Sequence, residues 1–428
     1  MSLKRVIGLS DRFKDNLSSL LEDMTPHSVL LMVSGGSDSM ALMHLTASWA
    51  KEHSVSCSVV TIDHGLRSDS AAEAEFVKSA AHGLGLVHHI LHWKDGVASQ
   101  GNLQKNARDA RYALIAGHGG NGAVVLTGHT LDDQAETFLL RLQRGSGLDG
   151  LSSIPAKRYV PLGDGGYWLI RPLLEFRREL LREFLRQRFV AWINDPSNDD
   201  KRFGRIKMRS ALAQTNDLGI NPENIADAAS HLQRARDALD QETRVFASKI
   251  CVTEYGDLLI DRAGFGKLHR EFQYRLFAQA LKWVSSNPYR PRFEALKRIF
   301  KNSLSGKTQT IHGCLIHPHK DQIRVSREFK AVEGNRIDLV DGTVWDRRWK
   351  VRFMDTKAST QLMIAPLGAE GAKWVRGQGN FLLPFRALQA HPGIFEGELL
   401  LYAPSLIENN HISATFCARP FEQSMGSY

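Results

Sequence analysis

The stretch Ser34-Gly35-Gly36-Ser37-Asp38-Ser39 constrains this chain more than any other. Before it lies a short apolar run, 29–33, β-branched at both ends, and after it a helical pattern, 40–49. A run of that length bounded by a turn signal suits a buried parallel strand. Two adjacent glycines let the backbone turn tightly and approach a ligand without a Cβ in the way, and Ser37 and Ser39 bring hydroxyls to the start of the next helix. Amide groups left without helical partners there point at whatever anion sits above them. Strand, loop and helix together make a cradle for a pyrophosphate. A Walker A loop is a poorer description, since it needs Gly-x4-Gly-Lys-Ser/Thr. The chain does carry Ser305-Gly306-Lys307-Thr308, but Lys301 stands where the first glycine belongs, so that segment reads as a basic turn.

Around this loop the first half of the chain alternates apolar runs with amphipathic ones, the pattern of an α/β fold with a doubly wound parallel sheet. Strands are predicted at 29–33, 56–62, 87–92 and 123–128, and helices at 39–52, 70–84, 102–116 and 131–144. In such sheets ligands bind beyond the carboxyl ends of the strands, where the loops beginning at Ser34, Asp63 and Gly128 would converge. After Gly150 prolines interrupt the pattern, and helices are predicted at 176–189, 221–247 and 270–284. Short strands are predicted at 309–315 and 322–325, an alternating run at 343–353, and turns at Gly368, Gly371, Gly377 and Gly379. The expected organisation is a catalytic domain over 1–215, a mainly helical, mixed middle domain over 216–333 that binds nucleic acid, and a small β-rich α+β domain over 334–428.

At 428 residues the chain exceeds one ordinary core, which agrees with several domains. No apolar block is long enough to span a bilayer and none resembles a signal peptide, so the expected place is the cytosol, with no membrane partner. Cys57, Cys251, Cys314 and Cys417 form no Cys-x-x-Cys pair, which argues against a zinc ribbon or an iron–sulfur cluster. The net charge of +9 is clustered: 171–209 holds eleven Lys or Arg against six Asp or Glu, and 290–330 ten against three. Clusters of that kind favour a polyanionic partner over an evenly solvated surface.

Two further loops carry chemistry. One reads Asp63-His64-Gly65-Leu66-Arg67, offering an imidazole and a guanidinium beside the nucleotide. The other reads Gly128-His129-Thr130-Leu131-Asp132-Asp133-Gln134-Ala135-Glu136-Thr137. With a helix starting near Leu131, Asp132 and Asp133 lie four and three residues before Glu136, so the carboxylates share a face. Acids at a helix start can simply complement its dipole, but a converging cluster also suits Mg²⁺ or a substrate ammonium.

Ser-Gly-Gly-x-Asp-Ser is the signature of the N-type ATP pyrophosphatases, the PP-loop superfamily. Together with Asp63–Arg67, Asn106-Ala107-Arg108, Arg111-Tyr112, the Gly128–Thr137 segment, Arg144-Gly145-Ser146-Gly147, Arg171-Pro172-Leu173-Leu174 and Asp195-Pro196-Ser197-Asn198, it resembles the tRNA(Ile)-lysidine synthetase family in order and spacing. The resemblance is dense over 29–212 and diffuse afterwards, although Ala365-Pro366-Leu367-Gly368 looks like that family's C-terminal domain. It implies an ATP-dependent ligation of free L-lysine to C2 of the wobble cytidine in tRNA(Ile) with a CAU anticodon, through an adenylated tRNA.

On this resemblance Ser34, Gly35, Gly36, Ser37, Asp38, Ser39, His64 and Arg67 would bind ATP, and Asp38 with Asp132 would hold Mg²⁺. Asp133 and Glu136 would grip lysine, and Asp38, Asp133, Glu136 and Arg205 would be catalytic. Lys207, Arg209, Arg292, Lys297, Arg298 and Lys301 would contact tRNA. Family members are often homodimers, and the residues leave that open. Two departures stand out: Ile206 follows Arg205 where the family usually has asparagine, and Thr130 follows His129 where it often has a second histidine. Cytidine thiolation within the same superfamily is the nearest alternative, but its enzymes use cysteine pairs. A glutamine-fed synthetase would need an amidotransferase half or partner, and the 28 residues before the first strand are too few for such a half. A non-catalytic RNA-binding scaffold would have no chemical reason to keep both the loop and the acid cluster.

Overall fold

The structure, a computed structural model, describes residues 3–63, 70–93, 103–162, 165–194, 204–215, 219–287, 289–304, 306–319, 321–353, 362–379, 381–408 and 410–425. The chain forms two compact units, one running to Arg236 and one starting at Asp237. That division falls later than the expected boundary at 215/216, inside a helix, α9, that runs over Pro222–Ile250. A helix whose pattern continues across the division leaves no break in composition to mark it.

In the first unit the order is α1 (Leu3–Leu21), β1 (Ser28–Met32), α2 (Ser37–His53), β2 (Ser56–Asp63), α3 (Ser70–Gly83), β3 (Val87–His92), α4 (Leu103–Gly119), β4 (Val124–Thr127), α5 (Leu131–Gln143), α6 (Leu148–Leu151), β5 (Lys157–Leu162), β6 (Gly165–Ile170), α7 (Arg178–Gln187) and α8 (Gly204–Thr215). The sheet order is β3-β2-β1-β4-β6-β5, parallel except for the antiparallel edge pair β5–β6. Consecutive residues of one strand feed opposite cores, as the two-residue period requires. Val29 and Leu31 join α1, α2, α3 and α7 on one face, while Leu30 joins Val60, Val125 and Ile115 on the other. Leu9, Phe13, Leu17 and Leu21 recur every four residues along α1 and are buried, each burial contributing about 1.5–3 kcal/mol.

The edge pair β5–β6 was not apparent from the sequence because Pro161 and Gly165-Gly166 interrupt it. An edge strand tolerates proline, whose missing N–H would face away from the ladder. Asn121 accepts from the Gly166 amide at 3.0 Å and secures the corner.

The second unit joins β7 (Cys251–Glu254), β8 (Asp257–Asp261), α10 (Arg262–Lys267), α11 (Arg270–Ser285), α12 (Phe293–Leu304), β9 (Gln309–Ile311), β10 (Cys314–Pro318) and β11 (Gln322–Arg327) around a five-stranded antiparallel sheet, β7-β8-β11-β10-β9. The single strand predicted at 309–315 is two strands. His312 and Gly313, both at positive φ, make a two-residue hairpin between them. Beyond it, β12 (Ile337–Asp338), β13 (Val344–Trp345), β14 (Trp349–Phe353), β15 (Leu362–Pro366), α13 (Gly368–Gln378), β16 (Pro392–Glu396), β17 (Leu399–Tyr402) and β18 (Ile412–Phe416) build sheets of order β12-β15-β16-β17 and β13-β14-β18. The run 343–353 likewise folds back, at Asp346-Arg347, both in the left-handed region. Gly371 and Gly377, expected in turns, lie inside α13; a Cβ on Gly371 would meet the Leu367 side chain at 3.0 Å, so this glycine serves close packing. Among the described residues no helix is long and apolar enough to cross a membrane.

Candidate active site

The strand order reverses at β1, whose neighbours are β2 on one side and β4 on the other. The Ser34 and Gly128 loops leave these adjacent strands, β1 and β4, at the switch point where open α/β sheets bind ligands. Gly35 adopts φ +86°, a conformation that disfavours any side chain, and its carbonyl accepts from the Ile193 amide at 2.9 Å. Gly36 caps α2 with no side-chain hydrogen bond, so the amides of Ser37, Asp38 and Ser39 form an uncapped helix start. Ser39 Oγ fixes the loop from within, accepting from the Ser34 amide at 3.2 Å and donating to the Gly36 carbonyl at 3.0 Å. Gly128 is required by close approach: a Cβ there would lie 3.0 Å from the backbone carbonyl of Asp38.

On the neighbouring loop, Thr130 and Asp133 form a capping box that starts α5. Asp133 Oδ2 accepts from the Thr130 amide at 2.8 Å and its hydroxyl at 2.9 Å, and Thr130 Oγ1 accepts from the Asp133 amide at 3.4 Å. Asp133 therefore has a structural role beside any chemical one. The Leu131 amide donates to the Phe176 carbonyl at 3.0 Å, which seats the segment leading into α7 against the start of α5.

At the centre stands Arg178, the first residue of α7. Its Nε donates to Asp38 Oδ2 at 2.8 Å, its Nη2 to Asp133 Oδ1 at 3.2 Å and its Nη1 to Glu136 Oε1 at 3.5 Å, while its amide donates to Asp132 Oδ2 at 2.7 Å. One guanidinium thus reaches three of the four expected carboxylates, with its side chain 15% exposed. In the sequence Arg178 is one of eleven Lys or Arg over 171–209. Its partners lie 42 to 140 residues away along the chain, and nothing local marks it. Arg182, one turn on, donates to Ser37 Oγ at 3.4 Å and ties the same helix to the phosphate cradle.

The electrostatics are those of a buried, contested cluster. Burial pushes the carboxyl of Asp38 above its usual range, opposed by Arg178, with Asp133 adding repulsion. Burial likewise raises Glu136, opposed by Arg209, with Asp133 raising it further. Glu136 is 1% exposed, and its Oε2 is buried without a hydrogen-bond partner among the described residues. That oxygen is open to a donor from a ligand or a water.

The other expected residues fall as follows. Arg209, expected on tRNA, donates from Nε to Glu136 Oε1 at 2.9 Å while half its side chain stays exposed. Asp132 accepts at Oδ2 from Arg178 and pairs at Oδ1 with Arg177 Nε at 3.3 Å, so both oxygens are engaged by the start of α7. No group of three His, Cys, Asp or Glu residues capable of holding a metal occurs among the described residues. Asp38, beside the cradle, accepts at Oδ2 from Arg178 and at Oδ1 from the Ser37 hydroxyl at 3.1 Å; a Mg²⁺ there would use a remaining lone pair of Oδ1, with phosphate oxygens and water as its other ligands. Arg205 falls in α8 with its side chain outside the described residues, and His64 and Arg67 lie outside them altogether. Lys207 is exposed on α8. In the second unit Arg292, Lys297 and Arg298 are exposed at α12, whose other face buries Leu296, Ile299 and Phe300; Lys301 belongs to α12 with its side chain outside the described residues.

A PP-loop domain model matches residues 9–216. The chain is 38% identical to a tRNA(Ile)-lysidine synthase of Ruegeria pomeroyi over 93% of each chain. It is 37% identical to one from Wolbachia pipientis over 79% of this chain and 80% of the relative, and 34% identical to one from Orientia tsutsugamushi over 75% and 74%. With 38% identity over 93% of its length, and a phosphate cradle beside an acid cluster, the chain belongs to the tRNA(Ile)-lysidine synthase family.

Proposed function

We propose that this chain uses ATP to join free L-lysine to C2 of the wobble cytidine of tRNA(Ile) bearing CAU, releasing AMP and pyrophosphate. The observation that carries the reading is the meeting of an uncapped, glycine-turned helix start with a buried carboxylate cluster on the adjacent strand's loop. The first feature suits the phosphates of ATP and the second a cationic amine. Membership of the family over nearly the whole chain supports the same assignment.

In the first half-reaction the cytidine C2 oxygen attacks the α-phosphorus and the bond to pyrophosphate breaks. The amides of Ser37, Asp38 and Ser39 are preorganised for the charge that builds on the leaving phosphates, and need no rearrangement as it forms. Mg²⁺ held in part by Asp38 would neutralise phosphate charge. Arg178 orients Asp38 for that task and keeps the carboxylates from repelling one another. In the second half-reaction the lysine ε-amine attacks C2 and the C–O bond to AMP breaks. The unpartnered Oε2 of Glu136 supports a grip on the ammonium. Because burial raises its pKa, Glu136 is also a better proton acceptor than an ordinary carboxylate when the amine must become neutral. Arg209, and the exposed face of α12 with Arg292, Lys297 and Arg298, are the candidate contacts for tRNA phosphates.

Cytidine thiolation fits less well. None of the four cysteines is in a disulfide, and burial pushes the thiols of Cys57, Cys251 and Cys314 up to about 12, which keeps them protonated at neutral pH. The deciding experiment is incubation of the purified chain with ATP, Mg²⁺, labelled lysine and unmodified tRNA(Ile) carrying CAU, followed by nucleoside analysis. Label in a modified cytidine is expected; pyrophosphate release with no label in RNA would reject lysine as the nucleophile.

A further inference from the structure

Phe189 stands just past α7 and is 96% exposed, the most exposed of the large hydrophobic residues described. It also sits at φ 54°, in the left-handed region. The surrounding hydrogen bonds define a Schellman ending: the Phe189 amide donates to Arg186 O at 3.1 Å and the Val190 amide to Leu185 O at 3.0 Å. Glycine is the residue this position favours, because a Cβ there meets the neighbouring backbone. The hydrophobic contact that accompanies such endings is made by Val190, which packs on the core with the buried Leu185. The Phe189 ring therefore adds nothing to the motif. It bears a backbone penalty and exposes a phenyl group to water, and the folded chain returns neither cost.

Its surroundings point to one kind of partner. Arg186, Gln187 and Arg188 are exposed beside it. From Arg177 to Arg188 the helix and its flanks hold five arginines against two glutamates. The Arg188 guanidinium lies over the Phe184 ring at 3.9 Å, directed by that stack, and Arg186 pairs with Glu179 at 2.8 Å. A flat ring presented to solvent among arginines fits a splayed base of single-stranded RNA, which gains stacking from the ring and charge neutralisation from its neighbours.

The position is also close to the reaction. Ile193, four residues on, bonds to the Gly35 carbonyl of the cradle, and four residues of chain span at most about 14 Å. We infer that Phe189 is a stacking platform for an unpaired base of the RNA substrate, one that positions the strand beside the phosphate loop. This rests on the reading that the substrate is tRNA.

The test uses the full chain with Phe189→Gly and Phe189→Trp, measuring tRNA affinity, KM for ATP and for tRNA, thermal unfolding and sedimentation. Phe189→Gly is expected to unfold at the same or a higher temperature, since glycine suits the position. It should keep its KM for ATP and bind unmodified tRNA(Ile) about tenfold more weakly, and Phe189→Trp should restore binding to within about twofold. Unchanged tRNA affinity in Phe189→Gly while the unsubstituted chain binds would overturn the platform. So would a lowered unfolding temperature with parallel loss of ATP affinity, which would make the ring structural, or a change in sedimentation alone, which would assign it to a second copy of the chain. If the unsubstituted chain itself neither binds nor modifies tRNA, the parent reading falls and the platform with it.

Discussion

Arg178 is the residue on which the site's charges balance. Asp38, Asp133 and Glu136 all reach its guanidinium, and two of them already sit above the normal carboxylate range because burial disfavours their charge. Removing one partner of a buried ionic network costs about 3–5 kcal/mol, because the remaining charges lose their compensation. Arg178→Ala should therefore lower stability by about 3 kcal/mol at pH 8. The sign with pH follows from linkage. Without the cation the folded-state pKa values of Asp38 and Glu136 rise further above their unfolded values, so the folded protein binds protons more readily than the unfolded chain. The penalty is relieved where these carboxyls are protonated and grows as pH rises through their folded pKa values. Urea unfolding of both proteins at pH 5 and pH 8 should give the larger difference at pH 8; a difference that is equal, or larger at pH 5, would remove Arg178 from its central place.

At the scale of elements, the site is made by two loops that leave adjacent parallel strands and by one helix that crosses to them. The strands and the helices that follow them were legible in the sequence to within a few residues, because a two-residue period or a helical period bounded by glycine is a local signal. The hairpins at His312-Gly313 and at 346–348 were not, since an alternating pattern continues through a turn of two or three residues almost unbroken. The motif residues of the cradle and of α5 were legible too. Arg178 and the link from Arg209 to Glu136 were not, because they depend on which distant segments meet. At Gly128 the two loops approach closely. Gly128→Ala would press a methyl group against the Asp38 backbone, and overpacking of this kind typically costs about 1–3 kcal/mol. The expected outcome is a lower unfolding temperature together with slower pyrophosphate release, both checked on one preparation; an alanine variant with unaltered turnover would show that the two loops do not need this register.

For the whole molecule, basic charge is concentrated in two stretches: one contains α7 and the start of α8, and the other contains α12. The first lies within the unit that holds the cradle and the second within the other unit. On the proposed function both stretches would face tRNA, although Arg178 in the first and Arg324 and Arg327 in the second are engaged in internal ion pairs, while the chemistry stays in the first unit. On the proposed function one site, joining a phosphate cradle to a buried acid cluster, performs two successive reactions. The most direct test measures pyrophosphate release and lysine transfer separately for the unsubstituted chain, Asp38→Ala and Glu136→Gln, with unmodified tRNA(Ile) in each case. Asp38→Ala should bind tRNA yet lose both steps, and Glu136→Gln should release pyrophosphate and accumulate adenylated tRNA while lysine transfer slows at least a hundredfold, on the order expected when an acid–base group is removed. Full pyrophosphate release and full lysine transfer by Asp38→Ala would contradict the account.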